Sequence, residues 1–155
     1  MRHLVTGGAG FLGSHLVDSL IKDNQEVICL DNFSTGHKSN IDMWLNNSHF
    51  ELINQDITEP LNLKVDRVWH LACPASPKYY LESPVETLKT CFTGTLNALE
   101  VARSSNAKFL LTRSSEVYGE ANKFPQDEKY YGSVNTQGIR SCYKEGKRVA
   151  ESLVH

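Results

Sequence analysis

The chain has 155 residues, a formal charge of −2 at pH 7 and 40% hydrophobic residues, which is the composition of an ordinary globular domain. So small a net charge gives no reason to expect nucleic acid or an anionic membrane as a partner, and no apolar run reaches the roughly 18–20 residues of a membrane-spanning helix. The N-terminus lacks a signal-peptide pattern, so a cytoplasmic location is expected.

Short apolar strands alternate with segments of helical periodicity along the chain. The expected strands are residues 3–6, 26–30, 50–53, 67–72 and 108–111. The expected helices are 11–22, 40–46, 84–105 and 141–153, whereas 119–138 is rich in turn-forming residues. Strands separated by helices imply right-handed crossovers and a parallel sheet. The sequence therefore predicts an α/β fold, a Rossmann-like doubly wound parallel sheet, with 1–155 as one nucleotide-cofactor domain.

A glycine-rich segment, TGGAGFLG at residues 6–13, follows the first expected strand and opens the first expected helix. Gly8, Gly10 and Gly13 have the spacing G-x-G-x-x-G. Glycine lets a phosphate approach backbone N–H groups that a Cβ would block, and the helix points its positive end at that phosphate. The pattern alone is weak, but the strand before it and the helix after it favour a dinucleotide loop.

An acidic residue, Asp31, ends the second expected strand, 18 residues after Gly13. That separation is close to the spacing of about 20 expected for the ribose-binding acid of dinucleotide folds. A carboxylate there accepts hydrogen bonds from ribose hydroxyls and repels a 2′-phosphate. Because Asn32 and Phe33 follow, with no arginine, the sequence favours NAD over NADP.

A tyrosine and a lysine, Tyr143 and Lys147, share one face of the last expected helix because they are four residues apart. A nearby ammonium, helped by the positive nicotinamide of NAD+, favours the phenolate, which makes Tyr143 a candidate general base. The same spacing is common on helix surfaces. The pair gains weight from the hydroxyl-bearing segment Ser114-Ser115-Glu116, which follows the last expected strand at the sheet edge where ligands bind.

The four cysteines (Cys29, Cys73, Cys91 and Cys142) lie far apart, without a Cys-x-x-Cys pair, and the six histidines are scattered. This spacing argues against a zinc site or a dithiol motif. The sequence predicts buried, reduced thiols and no metal site.

On these residues the chain resembles the extended short-chain dehydrogenase/reductase family, also called the NAD-dependent epimerase/dehydratase family, and within it the UDP-glucuronate decarboxylase group. Six segments carry the resemblance: TGGAGFLGSHL at 6–16, DNFSTG at 31–36, HLACPASP at 70–77, TLKTCFTGTL at 87–96, SEVYG at 115–119 and SCYKEGKRVAE at 141–151. The glycine loop is common to the broad family. The segments HLACPASP and SCYKEGKRVAE are far more particular to the decarboxylase group.

The resemblance implies a role for each matched position. The implied cofactor-binding residues are Gly7, Gly8, Gly10, Phe11, Leu12 and Gly13 at the pyrophosphate, Asp31, Asn32, Phe33, Ser34, Thr35 and Gly36 at the adenosine ribose, Asp56 and Ile57 beside adenine, Leu71, Ala72 and Pro74 past the fourth strand, and Tyr143 with Lys147. The implied catalytic residues are Tyr143 as the base, Lys147 as its partner, Ser114 (where the family usually has threonine) beside the sugar C4 hydroxyl, Ser115, and Glu116 near the sugar carboxylate or ring.

The resemblance also implies a reaction, NAD-dependent decarboxylation of UDP-glucuronate to UDP-xylose through a 4-keto intermediate. A nucleotide-sugar 4,6-dehydratase, a 4-epimerase, and a non-catalytic NAD-binding or dimerisation module stay open as alternatives. The implied partners are NAD, a UDP-sugar and a second copy of the chain, paired through helices 84–105 and 141–155. Family members are roughly twice as long, so we expect an incomplete Rossmann domain without the substrate-binding domain.

Overall fold

Five strands form one parallel sheet in the computed structural model, which describes residues 1–155. The strands are β1 (Arg2–Thr6), β2 (Glu26–Asp31), β3 (Phe50–Asn54), β4 (Arg67–His70) and β5 (Lys108–Leu111). The helices are α1 (Phe11–Lys22), α2 (Pro77–Glu82), α3 (Pro84–Lys89), α4 (Thr95–Ser105) and α5 (Ser141–Val154). A π-helical turn, Thr90–Gly94, joins α3 to α4.

The strand order is β3-β2-β1-β4-β5. Strands β2 and β3 lie on one side of β1, and strands β4 and β5 lie on its other side. The order therefore reverses between β1 and β4. At such a switch point the connections leave the two strands on opposite sides, and a crevice opens at their carboxyl ends. The predicted Rossmann-like sheet is confirmed.

Both faces of the sheet are covered, because alternate residues of each strand point to opposite layers. Leu4 of β1 lies in a buried cluster with Val68 of β4 and Val101 of α4. The next residue, Val5, lies in a second buried cluster with Val17 of α1. Two-sided burial explains why the central strands are almost continuously apolar, and it makes the sheet doubly wound.

The helix predicted over residues 40–46 is wrong. The segment forms two short 3₁₀ turns, Lys38–Asn40 and Asp42–Trp44. The Asn40 side chain donates a hydrogen bond to the Ala9 carbonyl (Nδ2···O 2.8 Å), and the His37 amide donates to the same oxygen. These bonds anchor the segment to the glycine loop, and such a tertiary anchor overrides local helix propensity.

The long helix predicted over 84–105 is present but interrupted by the π turn. Of the apolar residues that suggested an amphipathic helix, only part faces the core. Val85, Leu88, Phe92 and Leu96 are 60%, 39%, 46% and 41% exposed, whereas Val101 is buried. The apolar side chains of α3 and of the start of α4 therefore form an exposed stripe.

Helix α2 was not expected from the sequence. Its signal is short: Ser76 occupies the cap position and Pro77 the first helical position. No helix in the structure is both long enough and apolar enough to cross a lipid bilayer.

Candidate functional site

A cavity of about 460 Å³ lies at the carboxyl ends of the strands, where the sheet order reverses. Its size is that of a small-molecule site. The predicted residues that line it are Gly7, Gly10, Phe11, Leu12, Gly13, Asp31, Asn32, Ser34, Thr35, Asp56, Ile57, Leu71, Ala72, Pro74, Tyr143 and Lys147. Residues that the sequence did not indicate also line it: Leu30, Gln55, Cys73, Ala75, Ser76, Tyr79, Thr90, Thr112 and Arg113. We call this cavity the crevice.

The glycine loop forms one wall of the crevice and tolerates no side chain at two positions. Gly7 has a φ of +69°, and a Cβ there would lie 2.9 Å from the Ala72 amide nitrogen. A Cβ on Gly13 would lie 2.1 Å from the Gly7 carbonyl oxygen. Glycine is therefore required for the turn at Gly7 and for the close packing of α1 at Gly13.

The N-terminus of α1 presents free amide groups to the crevice. Gly10 occupies the cap position and supplies no side-chain acceptor. The first-turn amides of Phe11 and Leu12 therefore have no acceptor within the helix. Unpaired N–H groups at the positive end of a helix form an anion site, so this wall fits a diphosphate.

The carboxylate of Asp31 is fixed at the opposite side of the loop. It is 7% exposed and accepts hydrogen bonds from the Ala9 amide (2.9 Å) and the Phe33 amide (2.8 Å). A Cβ on Gly36 would lie 3.0 Å from both carboxylate oxygens, so Gly36 gives the carboxylate its space. A carboxylate oxygen can accept two hydrogen bonds, and each Asp31 oxygen therefore has one acceptor position for a ligand hydroxyl.

Asn32 and Asp56 are joined beside Asp31. The side-chain amide of Asn32 donates a hydrogen bond to Asp56 Oδ2 (2.6 Å). The backbone amide and the hydroxyl of Thr58 donate to Asp56 Oδ1 (2.8 and 2.7 Å). Burial raises the pKa of Asp56, but the hydrogen bonds from Thr58 and Asn32 outweigh it and hold the pKa below its usual value. Asp56 therefore stays ionised and keeps an acceptor at the crevice edge.

Three predicted cofactor residues do not line the crevice. A Cβ on Gly8 would lie 2.5 Å from the Cys29 sulfur, so Gly8 allows the loop to pack on β2. Phe33 has a left-handed backbone (φ 58°) and its side chain packs on the core cluster around α1. Gly36 backs the Asp31 carboxylate, as described above. These positions shape the crevice from behind.

The hydroxyl of Thr6 joins the ends of β1 and β4. Its oxygen accepts hydrogen bonds from the amides of Leu71 and Ala72, each at 3.2 Å. Both amides belong to the segment that leaves β4 along the crevice. Together with the bond from the Leu71 amide to the Thr6 carbonyl (3.1 Å), the buried hydroxyl thus links the glycine loop to the facing wall.

A buried histidine extends this connection to α4. His70 Nδ1 lies 2.8 Å from the Thr6 hydroxyl, and Nε2 lies 3.1 Å from the Thr95 hydroxyl, which donates to the Cys91 carbonyl. Thr95 must therefore accept from His70, and Thr6 must donate to it, which assigns the proton to Nε2. Burial, helped by the Lys147 charge, lowers the pKa of His70 to about 3.

The catalytic pair predicted on α5 faces the crevice. The buried residues of α5 are Cys142, Tyr143, Gly146, Lys147 and Ala150, which form one helical stripe. Lys147 Nζ lies 5.9 Å from the centre of the Tyr143 ring and donates to the Thr112 carbonyl (3.1 Å). The Tyr143 ring stacks on Tyr80 of α2, with 5.0 Å between ring centres. Helix α2 thus supports the tyrosine from behind.

The pKa of Tyr143 is raised in the protein by itself, opposite to the direction predicted from Lys147. Burial is the main cause, and the nearby Cys73 thiol adds to it. The Ser114 hydroxyl acts in the opposite direction and lowers the pKa of Tyr143. Removal of the Tyr143 proton therefore needs a further positive charge in the crevice.

The segment after β5 is brought beside α5 but stays outside the crevice lining. Ser114 caps a short 3₁₀ turn, Ser115–Tyr118, by accepting a hydrogen bond from the Glu116 amide. The Glu116 carboxylate pairs with Arg140 (3.4 Å) and with Lys144 (3.8 Å). Ser115 is exposed. Two of the three act on Tyr143: the Ser114 hydroxyl lowers its pKa and the Glu116 charge raises it.

Arg113 is a crevice residue that the sequence reasoning did not place in the site. Its guanidinium forms two parallel hydrogen bonds with the Glu151 carboxylate on α5, at 2.7 and 2.9 Å. A bidentate pair of this kind fixes the relative position of two elements. Its position two residues after the end of β5, at the ligand-binding edge of the sheet, was the signal available in the sequence.

We expect acid to destabilise the fold through His70. Between pH 6.5 and about 3 the unfolded chain binds a proton at this position and the folded chain does not, so the free energy of unfolding falls as the pH decreases. From pH 7 to pH 5, His70 contributes a loss of about 2 kcal/mol. Urea unfolding at several pH values measures this change in the free energy of unfolding. His70→Gln should flatten the pH dependence and His49→Gln, on an exposed residue, should not; equal slopes in all three proteins would contradict the assignment.

Known proteins resemble this chain in sequence and in fold. The sequence profile of the NAD dependent epimerase/dehydratase family matches residues 3–155. UDP-glucuronic acid decarboxylase 6 of Arabidopsis thaliana is 56% identical over 155 residues, which are 99% of this chain and 45% of that protein. UDP-glucuronic acid decarboxylase 1 of Xenopus tropicalis is 53% identical over 154 residues, 99% of this chain and 37% of that protein.

Among solved structures, the Thermus thermophilus UDP-glucose 4-epimerase in complex with NAD superimposes with a TM-score of 0.76 at 30% identity. The match covers 99% of this chain and 50% of the epimerase. The chain thus spans half or less of the length of each of these proteins.

Proposed function

Because this chain belongs to the NAD-dependent epimerase/dehydratase family, we propose that it supplies the NAD-binding part and the catalytic tyrosine–lysine pair of an enzyme that converts UDP-glucuronate to UDP-xylose. One observation carries the proposal: the same crevice is lined by Gly7, Asp31, Tyr143 and Lys147. Sequence identities of 56% and 53% to two UDP-glucuronic acid decarboxylases support the choice of substrate.

The residues present fit a dinucleotide. The free amides of Phe11 and Leu12 would hold the diphosphate, and the remaining acceptor positions of Asp31 would hold the adenosine ribose hydroxyls. Asp31 would also repel a 2′-phosphate, which favours NAD over NADP. When bound, NAD+ would accept a hydride from C4 of the sugar and later return it.

Tyr143 would take the proton from the C4 hydroxyl during oxidation. The buried phenol holds its proton tightly in the protein by itself, so it becomes a base only when Lys147 and the cationic nicotinamide together favour the phenolate. Ser114, which lowers the pKa of Tyr143, would bind the same C4 oxygen. This coupling would keep the tyrosine protonated until cofactor and sugar are both in place.

The decarboxylation then follows from the position of the carboxylate. A ketone at C4 makes the C5 carboxylate that of a β-keto acid, whose CO2 leaves as the C–C electron pair moves toward the ketone oxygen. Tyr143, protonated after the oxidation, would donate a hydrogen bond to that oxygen and stabilise its charge. Protonation at C5 and reduction of C4 complete UDP-xylose.

We propose that the exposed apolar stripe (Val85, Leu88, Phe92 and Leu96) pairs with a second copy of the chain. A contiguous apolar stripe on a helix surface favours association. Tyr143 and Lys147, which line the crevice, lie on the buried face of α5 and not on the stripe. Pairing through the stripe would therefore leave the crevice accessible.

The Asp31 proposal is tested by Asp31→Asn. We expect NAD+ to bind about 10–100-fold more weakly, because a hydrogen bond to a charged acceptor contributes roughly 1.5–3 kcal/mol. We also expect the preference for NAD+ over NADP+ to disappear, because the neutral amide no longer repels the 2′-phosphate. Isothermal titration calorimetry with both dinucleotides measures the change. Asp23→Asn, at the exposed far end of α1, is the matched control. Unchanged NAD+ affinity in Asp31→Asn would contradict the role.

The Tyr143 proposal is tested by Tyr143→Phe, which removes only the hydroxyl. With the chain supplemented by the C-terminal part of a decarboxylase relative, we expect UDP-xylose and CO2 formation to fall by about 10²–10⁴-fold. NAD+ affinity should change less than about threefold, which is a binding free energy change of less than about 0.7 kcal/mol. Tyr131→Phe, on a 93% exposed residue, is the control.

The reaction products also distinguish the decarboxylase from the alternative functions of the chain. A 4-epimer of the UDP-sugar would indicate an epimerase, and a dehydrated 4-keto sugar would indicate a dehydratase. NAD+ binding without any product, with the C-terminal part present, would leave the chain as a cofactor-binding module and exclude the decarboxylase.

The dimer is tested by Phe92→Glu. Sedimentation velocity at micromolar concentration should show a dimer for the unsubstituted chain and a monomer for the variant, because the charge would be desolvated in the interface. Ile139→Glu, on an 83% exposed residue outside the stripe, should remain dimeric. A monomer in all three proteins would exclude the pairing.

A further inference from the structure

Two cysteines, Cys73 and Cys91, lie in direct contact although they are far apart in sequence. Their sulfur atoms are 3.3 Å apart. Cys73 follows β4 and lines the crevice, whereas Cys91 is in the π turn between α3 and α4 and is 3% exposed. The contact therefore joins the crevice wall to the helix layer behind it.

The surroundings of the pair differ from those of the other two cysteines. The hydrogen bond with Cys91, helped by the Lys147 charge, lowers the pKa of Cys73, although burial acts the other way. The hydrogen bond with Cys73 and burial both raise the pKa of Cys91. Burial raises the pKa of Cys29 to about 12, and Cys142 donates a hydrogen bond to the Tyr80 carbonyl. Cys73 is thus the accessible sulfur and Cys91 the partner held against it.

The position of Cys91 is set by close packing. A Cβ on Gly146 of α5 would lie 2.9 Å from the Cys91 sulfur, so α5 can approach the π turn only because this residue is glycine. The Cys91 carbonyl also accepts the Thr95 hydroxyl that supports His70. These contacts leave the sulfur facing Cys73.

We propose that Cys73 and Cys91 are a reversible redox modification site, at which hydrogen peroxide converts the two thiols to a disulfide in the wall of the crevice. The Cys73 thiolate attacks a peroxide oxygen, the O–O bond breaks, and water leaves after protonation, so that Cys73 becomes a sulfenic acid. The Cys91 sulfur then attacks the Cys73 sulfur and expels the second water. Two thiols lose two electrons and two protons, and hydrogen peroxide becomes two waters.

The disulfide would change the shape of the crevice. A disulfide bond is about 2.05 Å long, so the sulfurs must approach by more than an ångström from their distance in the thiol state. The neighbours of both cysteines, Ala72, Pro74 and Thr90, line the crevice. Bond formation therefore moves the wall opposite the glycine loop, and this consequence for cofactor affinity depends on the NAD-binding function proposed above.

Hydrogen peroxide treatment followed by thiol counting and peptide mapping tests the site. Of the four free thiols, two should be lost with a mass decrease of about 2 Da; non-reducing digestion should give a Cys73–Cys91 peptide, and dithiothreitol should restore both thiols. Cys91→Ser and Cys73→Ser should each prevent the disulfide. Cys142→Ser should still form it. Circular dichroism of each variant verifies folding.

Three outcomes would overturn the proposal: a disulfide that involves Cys142, stepwise oxidation of Cys73 to sulfinic acid without a disulfide, or an intact disulfide yield in Cys91→Ser. As a second measurement, oxidation should weaken NAD+ binding by at least about fivefold, the lower range of coupling between sites. The effect should be absent in Cys91→Ser. Absence of NAD+ binding by the reduced chain would count against the cofactor function alone, because peptide mapping decides the redox site independently.

Discussion

The hydroxyl of Thr6 is the contact on which the crevice depends. It is fully buried at the end of β1 and binds two amides of the segment that leaves β4, together with the His70 ring. The backbone ladder between β1 and β4 ends with the Leu71 amide, which donates to the Thr6 carbonyl (3.1 Å), and beyond that bond the following segments diverge. Beyond that point the Thr6 hydroxyl is the acceptor for the Ala72 amide, and leaving this amide unpaired would cost roughly 1–3 kcal/mol. The hydrogen bonds that hold the two walls of the crevice together therefore also stabilise the fold.

The charges of the crevice are arranged by its two walls. On the glycine-loop side, the free amides at the start of α1 are positive and the Asp31 carboxylate beyond them is negative, an order that matches a diphosphate followed by a ribose. On the α5 side, Lys147 is held by the Thr112 carbonyl, next to a tyrosine that keeps its proton. The two walls come from opposite ends of the chain. Only the parallel sheet, which gathers the carboxyl ends of β1, β2, β4 and β5 at one edge, brings them together.

Much of this arrangement follows from the sequence because it depends on periodicity and on residues next to strand ends. The bounds of α1 and β5 agree with the sequence, since both have strong local patterns. Tyr79 and Thr90 could not be placed at the crevice, because their position depends on how α2 and the π turn pack against α5. The segment 40–46 was misassigned for a related reason: the hydrogen bond from Asn40 to the glycine loop is a tertiary contact. The direction of the Tyr143 pKa also depends on burial, which no spacing reveals.

The packing of α5 connects these features. Its buried stripe places Tyr143 against Tyr80, Gly146 against Cys91 and Lys147 against Thr112. One helix face therefore positions the base, its ammonium partner and the sulfur behind Cys73. Because Lys147 acts on Cys73 and on His70 as well as lying beside the tyrosine, its single charge affects the protonation of a thiol and an imidazole. A change in the crevice that moves Lys147 would therefore shift the pKa of both groups, and with them the proposed reactivity of Cys73 and the acid stability that depends on His70.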